Sequence, residues 1–161
     1  MSAAPTAGLP ALRPAWPEEA PALSDLALRS KGHWGYDADF LAACRAELTL
    51  DPHLLAAHRT LVAEVDGRLA GFGTVEGVPP YGELGMLFVE PDLLGRGIGG
   101  VLLAALVERA RTEGFTRLSI DADPHAEAFY LARGAVRTGS IPSSSIPGRT
   151  LPRLELDLSA G

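Results

Sequence analysis

Four glycines, Gly95, Gly97, Gly99 and Gly100, fall within six positions of the stretch VEPDLLGRGIGGVLL (Val89 to Leu103), between a strand-like and a helix-like run. Glycines at this density let a backbone come close enough to a phosphate for its amides to donate. A helix beginning at Ile98 adds unpaired N–H groups and a partial positive charge. The chemistry on offer is the grip of an anion, above all a diphosphate, with little help from side-chain charge. Gly95, Gly97 and Gly100 also spell GxGxxG, and Asp121 stands near the distance at which an acid holds a ribose in dinucleotide-binding folds. In such folds, however, the first strand runs straight into the first glycine. Here Glu90 to Leu94 intervene, an antiparallel hairpin comes first, and too few residues follow for the remaining strand-helix units. No lysine follows with the spacing of a nucleotide-triphosphate loop. A plainer role, turning the chain and letting a helix pack closely, stays open at this point.

Other candidate groups are scattered. Tyr130 lies in PHAEAFYLAR, where a tyrosine of an amphipathic helix reads on its own as a core residue with a satisfied hydroxyl. Glu83 opens a strand-like run and reads on its own as a solvated strand-end carboxylate. KGHWGYD gathers His33, Trp34 and Tyr36 in a short glycine-bearing connection of the kind that binds ligands, although such aromatics also fold back on a core. Ser143, Ser144 and Ser145 offer hydroxyls in a turn. Cys44 sits in an apolar helical stripe, which disfavours a covalent cysteine mechanism. The four histidines and the one cysteine have no metal-ligand spacing, so no metal is expected.

These groups must be positioned by the elements around them. Residues 1–8 read as a loose tail and Leu9 to Arg13 as a short strand. A helical segment follows from Pro17 with Leu23, Leu26 and Ala27 on one face; Asp37 then caps a second helix with Phe40, Leu41, Cys44 and Leu48 on its apolar side. TLVAEVDGRLAGFGTVEG is a hairpin, because Asp66-Gly67 can take the positive dihedrals of a tight turn. ELGMLFVEP reads as a strand from Glu83 to Val89, stopped by Pro91. Alternation then puts Glu83 on one face with Gly85, Leu87 and Val89. Leu102, Leu103, Leu106, Val107 and Ala110 form a helical stripe that ends at Gly114. RLSIDAD is a strand, Asp123-Pro124 opens a further helix ended by Gly134, and two closing strands lie near Ala135 to Ser140 and Arg149 to Leu158. The order predicts an α+β fold with a mixed sheet.

The chain of 161 residues is long enough for one core and too short for two ordinary domains. Its formal charge of -6 argues against nucleic acid or an anionic membrane surface as a partner. The longest apolar run, near Ile98 to Val107, is too short to span a bilayer. One cysteine and no basic, apolar leader fit a reducing cytoplasm.

LFVEPDLLGRGIGGVLL resembles the acetyl-CoA motif of the GNAT superfamily of N-acetyltransferases: a strand ending in valine, a proline two residues on, then a glycine loop. DADPHAEAFYLARGA resembles that superfamily's second signature, a helix carrying an aromatic-tyrosine pair before a glycine turn, with Asp123 where the family commonly has asparagine. The resemblance in element order covers roughly residues 9–158, and implies one N-acetyltransferase domain at 9–161. It implies a mostly antiparallel sheet of six to seven strands flanked by about four helices and splayed near the glycine loop. It further implies acetyl-CoA as acyl donor. Leu87, Phe88 and Val89 would offer backbone groups to the pantetheine arm, and Gly95, Arg96, Gly97, Ile98, Gly99 and Gly100 would hold the diphosphate. Asp123 is then a cofactor contact or only a helix cap, Tyr130 the acid for the departing thiolate, and Glu83 the candidate base. Leu94 departs from the glutamine or arginine usual in the family. His33, Trp34, Tyr36 and Ser144 are expected around an acceptor pocket bounded by the first two helices and the loop between the last two strands. The acceptor is a small-molecule or protein amine, and a homodimer stays open. A module that binds acyl-CoA without turnover is the alternative, and a dinucleotide oxidoreductase comes third.

Overall fold

The computed structural model describes residues 10–159. The expected tail at 1–8 lies outside the described residues, as does Leu9. Strand β1 covers Ala11–Pro14, one residue beyond the expected end. After a 3-10 turn at Pro17–Glu19 come helices α1 (Ala20–Gly32) and α2 (Ala38–Leu48). The Asp37 side chain accepts from the Phe40 amide at 2.8 Å, the expected cap. Strands β2 (Leu61–Val65) and β3 (Arg68–Val78) flank Asp66 and Gly67, at φ 52° and 79°, which makes the predicted tight turn. β4 (Tyr81–Val89) starts two residues earlier than expected. Helix α3 (Ile98–Thr112) follows the glycine loop and gives way to β5 (Arg117–Asp121) through Gly114 at φ 99°. The helix expected after Asp123 is split into a 3-10 turn, Pro124–Ala126, and a short α4 (Glu127–Leu131). β6 (Val136–Pro142) and β7 (Thr150–Asp157) close the chain.

The seven strands form one sheet in the order β1-β2-β3-β4-β5-β7-β6, with β7 inserted between β5 and β6. Every neighbouring pair is antiparallel except β4 and β5, which run parallel and pair only at Tyr81↔Arg117, Gly82↔Leu118 and Glu83↔Ser119. From Leu84 onward β4 has no partner on that side, so the sheet opens. The fold is therefore the expected α+β architecture with its splay.

Helix α3 packs on one face through the buried stripe Leu102, Leu103, Leu106 and Ala110. A Cβ at Gly73 would lie 2.6 Å from Leu106 Cδ1, so the glycine lets the helix approach β3 closely. Helices α1 and α2 cover the other face over Val62 and Phe72. No helix among the described residues is long and apolar enough to cross a membrane.

One irregularity matters for the site. Thr74 pairs with Met86 but Val75 with Leu84, so Gly85 is an extra residue in β4, a β-bulge. Paired residues share a face, which puts Leu84, Leu87 and Val89 on the α3 side, and Glu83, Met86 and Phe88 on the α1/α2 side. The expectation that Glu83 shares a face with Leu87 and Val89 is thereby corrected: one inserted residue reverses the alternation.

Candidate active site

The glycine loop is a run of unused donors. Gly95 and Gly97 both take the left-handed conformation, at φ 83° and 80°, and Gly97 precedes the first turn of α3. Among the described residues no acceptor receives the backbone N–H of Gly95, Arg96, Gly97, Ile98, Gly99 or Gly100. Six successive free amides, backed by the α3 dipole, make an anion nest from the main chain itself. Glu90, 6% exposed, ties the approach to this loop to α1, its Oε2 accepting from Arg29 Nη2 at 2.6 Å.

The loop forms one end of a largely apolar cavity of about 340 Å³ whose walls include Leu87, Phe88 and Val89 of β4, Phe129 and Tyr130 of α4, and Arg133. On the opposite side of the splay lies a second cavity of about 330 Å³ bounded by Glu47 and Leu48 of α2, Glu83, and Ser144 between the closing strands. Lys31, Leu87, Phe88, Asp123, Ala126 and Tyr130 line both. One passage thus runs through the sheet, and Tyr130 stands in it.

The β4 backbone supplies donors inside that passage. The Glu90 amide donates to the Ala70 carbonyl at 2.8 Å, so by alternation Phe88 is bonded toward β3 while the amides of Leu87 and Val89 turn to the open side. Of the three expected backbone contacts, Leu87 and Val89 are free to make them, and Phe88 contributes its side chain to the wall.

Tyr130 is 6% exposed, and burial pushes its phenol pKa up, so it holds its proton throughout the physiological range. No partner among the described residues reaches its hydroxyl. Glu83 is half-buried and forms no ion pair among the described residues; burial first, then the carboxylates of Asp121 and Glu76, raise its pKa, with Arg153 partly offsetting them. Cys44 is fully buried and burial raises its thiol pKa, the reverse of an activated nucleophile. Among the described residues no three histidine, cysteine, aspartate or glutamate side chains are arranged to hold a metal ion.

Asp123 is the hub of the floor. Its carboxylate accepts from the His125 amide at 2.9 Å, the helix-cap role, and pairs with Lys31 Nζ at 2.9 Å and Arg149 Nη2 at 3.4 Å. Burial alone would raise its pKa, yet the His125 amide and Lys31 together hold it well below the usual carboxylate range. Lys31 is only 8% exposed, so Asp123→Ala strands a buried ammonium. It is expected to cost about 3 kcal/mol of stability in chemical denaturation at neutral pH. Because the folded pKa is depressed, that contribution is present above the unfolded carboxylate pKa and fades only in strong acid.

The sequence signature of the Acetyltransferase (GNAT) family matches residues 16–135, which include both the glycine loop and Tyr130. The chain belongs to this family. A mycothiol acetyltransferase of Clavibacter michiganensis subsp. michiganensis is 34% identical over 98 residues, 60% of this chain and 31% of that protein, so this chain matches only about a third of that relative. A GCN5-related N-acetyltransferase of Rhodopseudomonas palustris shares the fold with a TM-score of 0.77 at 28% identity, over 96% of this chain and 99% of that one. The PaiA N-acetyltransferase of Thermoplasma acidophilum, solved with coenzyme A, gives 0.77 at 16% identity over 92% and 99%.

Within this GNAT fold several expected site residues stand elsewhere than foreseen. Arg96 is exposed and lines neither cavity. Arg133 instead lines the loop cavity: its guanidinium stacks 3.8 Å above the Phe129 ring and lies beside Gly100. Leu94 lines the loop cavity as an apolar contact. Trp34, stacked on His125 at 5.1 Å, borders the loop cavity and not the acceptor side; His33, packed edge-on against Trp34, lines neither. Tyr36 is held by the protein itself: its hydroxyl donates to Asp123 Oδ2 at 3.0 Å and accepts from Arg149 Nη2 at 2.8 Å, and burial with the Asp123 charge pushes its pKa up to about 12. Ser144 does face the acceptor cavity, donating to Glu47 at 2.6 Å. Lys31, Glu76 and Arg133 were not foreseen. Only Arg133 had a local signal, as a cation one turn past the aromatic pair and just before Gly134.

Proposed function

We propose that this protein is an acetyl-CoA-dependent N-acetyltransferase that serves a small-molecule or protein amine by direct attack in a ternary complex. The single observation that carries the reading is the passage through the splayed sheet, with six free loop amides at one end and an unpaired, half-buried glutamate at the other. The chemistry of the donor set suits acetyl-CoA: amides for a diphosphate, an apolar wall for the pantetheine arm, and open strand amides where a peptide-like arm adds to an edge. When bound, acetyl-CoA supplies an acetyl group activated as a thioester.

The residues divide the remaining work. Amides of Gly95 to Gly100 bind the diphosphate. The free N–H groups of Leu87 and Val89 are available to polarise a carbonyl. Glu83 accepts a proton at its carboxylate, directly or through water, and the Tyr130 hydroxyl holds a proton for the departing sulfur. Residues 9–161 act as one domain, and the lone buried Cys44 suits the cytoplasm.

Calorimetry with acetyl-CoA, NADH and FAD, followed by thiol release across an amine panel, tests the reading. Acetyl-CoA is expected to bind and thiol to appear; preferential dinucleotide binding would overturn the assignment. Binding without thiol release would favour an acyl-CoA sensor, the reading that the apolar Leu94 supports. Glu83→Gln is expected to lower kcat about a hundredfold, the lower end of general-base effects, because Glu76 and Asp121 remain nearby. In wild type kcat/KM should climb with pH through a carboxylate titration displaced above its ordinary value, and the variant should lose that limb.

A further inference from the structure

Beyond the acceptor cavity lies another of about 310 Å³, and the two share Glu47, Glu83, Gly85 and Met86. Glu47, Asp51, Glu76 and Glu83 line it, and none of the four has an ion-pair partner among the described residues. Elsewhere Asp92, Glu108 and Glu113 each meet an arginine. The partners of the cavity carboxylates are neutral: Ser144 for Glu47 at 2.6 Å, the His53 amide for Asp51 at 2.8 Å, and Thr74 for Glu76 at 3.0 Å. Glu76 and Glu83 are direct cross-strand partners, an arrangement in which like charges repel. His58 is the one other ionisable side chain on the wall.

A second observation points to a ligand. Thr60 lines the same cavity, is 3% exposed, and its hydroxyl has no hydrogen-bond partner among the described residues. An unmet buried hydroxyl is unfavourable, and an entering N–H group can donate to its oxygen. The carboxylates do not converge as a metal cage. The charge that matches them is an organic cation carried in on a chain.

We propose that this cavity binds a second ammonium of the acceptor, which makes small aliphatic diamines the substrate class. The near amine meets Glu83 in the passage, and the distal ammonium lies among Glu47, Glu76 and Thr60. The assignment of substrate rests on the acetyl-transfer reading; the cation subsite does not.

The test is therefore made without turnover. Calorimetry at low ionic strength compares 1,5-diaminopentane with pentylamine. Wild type is expected to bind the diamine at least about tenfold more tightly, and Glu76→Gln to reduce that ratio to below about threefold, as charge-assisted hydrogen bonds are lost. Glu47→Gln provides an independent variant with the same expected direction. Equal affinity for the two amines in wild type, or a preference untouched in both folded variants, overturns the proposal. Thiol release is read separately: a diamine preference with no turnover for any amine would end the transferase reading and leave the subsite standing.

Discussion

Tyr130→Phe is expected to lower kcat about a thousandfold while leaving acetyl-CoA affinity within about twofold. Tyr130 lines both cavities and its hydroxyl has no partner among the described residues, so removing it leaves no buried group unsatisfied and opens no sizeable void. What disappears is the proton held for the leaving sulfur; the other ionisable side chains that line both cavities, Lys31 and Asp123, are tied to each other in an ion pair. Glu83, by contrast, has other carboxylates at hand, which is why its loss is expected to cost less. Steady-state kinetics with calorimetric cofactor binding checks the split, and a kcat within about threefold of wild type would remove Tyr130 from the chemistry.

Gly97→Val is expected to weaken acetyl-CoA binding by about 4 kcal/mol, close to a thousandfold. At φ 80° a β-branched residue is strained by roughly 1–2 kcal/mol, and the relaxed loop swings about two charge-assisted amide bonds off the diphosphate. A Cβ at Gly97 meets no protein atom within 4 Å, so the space above it is open to a ligand and the loss is not one of internal clash. Gly97→Ala, with a smaller side chain, should fall between the two. Calorimetric titration of both variants, with the folded state checked by circular dichroism, decides the matter; unchanged affinity in both would mean that the loop amides do not hold the diphosphate.

Much of the donor side of this site is legible in the sequence because its signals are local. A left-handed glycine declares itself wherever the chain must turn with its amides outward, and Gly95 and Gly97 do so within three positions. Asp66-Gly67 fixes a turn and Asp37 a cap for the same reason: each carries its own stereochemistry. The acceptor side is written in pairings instead. Alternation counts residues along one strand, but the extra residue at Gly85 is decided by how β3 lies beside β4, so Glu83 moves to the other face and meets Glu76. The Lys31–Asp123 pair joins α1 to a turn some ninety positions later (residues 31 and 123), with no spacing rule to announce it. Trp34 likewise belongs to the donor side only because His125 comes from another element to stack on it. β7 slips between β5 and β6, an order that a simple meander of closing strands does not suggest.

The parallel junction of β4 and β5, which joins the halves of the sheet, amounts to three residue pairs, extended by the Thr116 and Arg117 amides donating to the Pro80 carbonyl at 2.8 and 3.4 Å. The fissure beyond it is a vacancy in the ladder that a peptide-like guest can fill, lending the protein hydrogen bonds that its own chain does not provide. Conformational stability and donor supply are then linked by mass action: at a hundredfold excess over the dissociation constant the guest adds about 2.7 kcal/mol to the folded state. On this proposal the pantetheine arm acts in effect as a borrowed strand, and the protein is most firmly folded when it is ready to react.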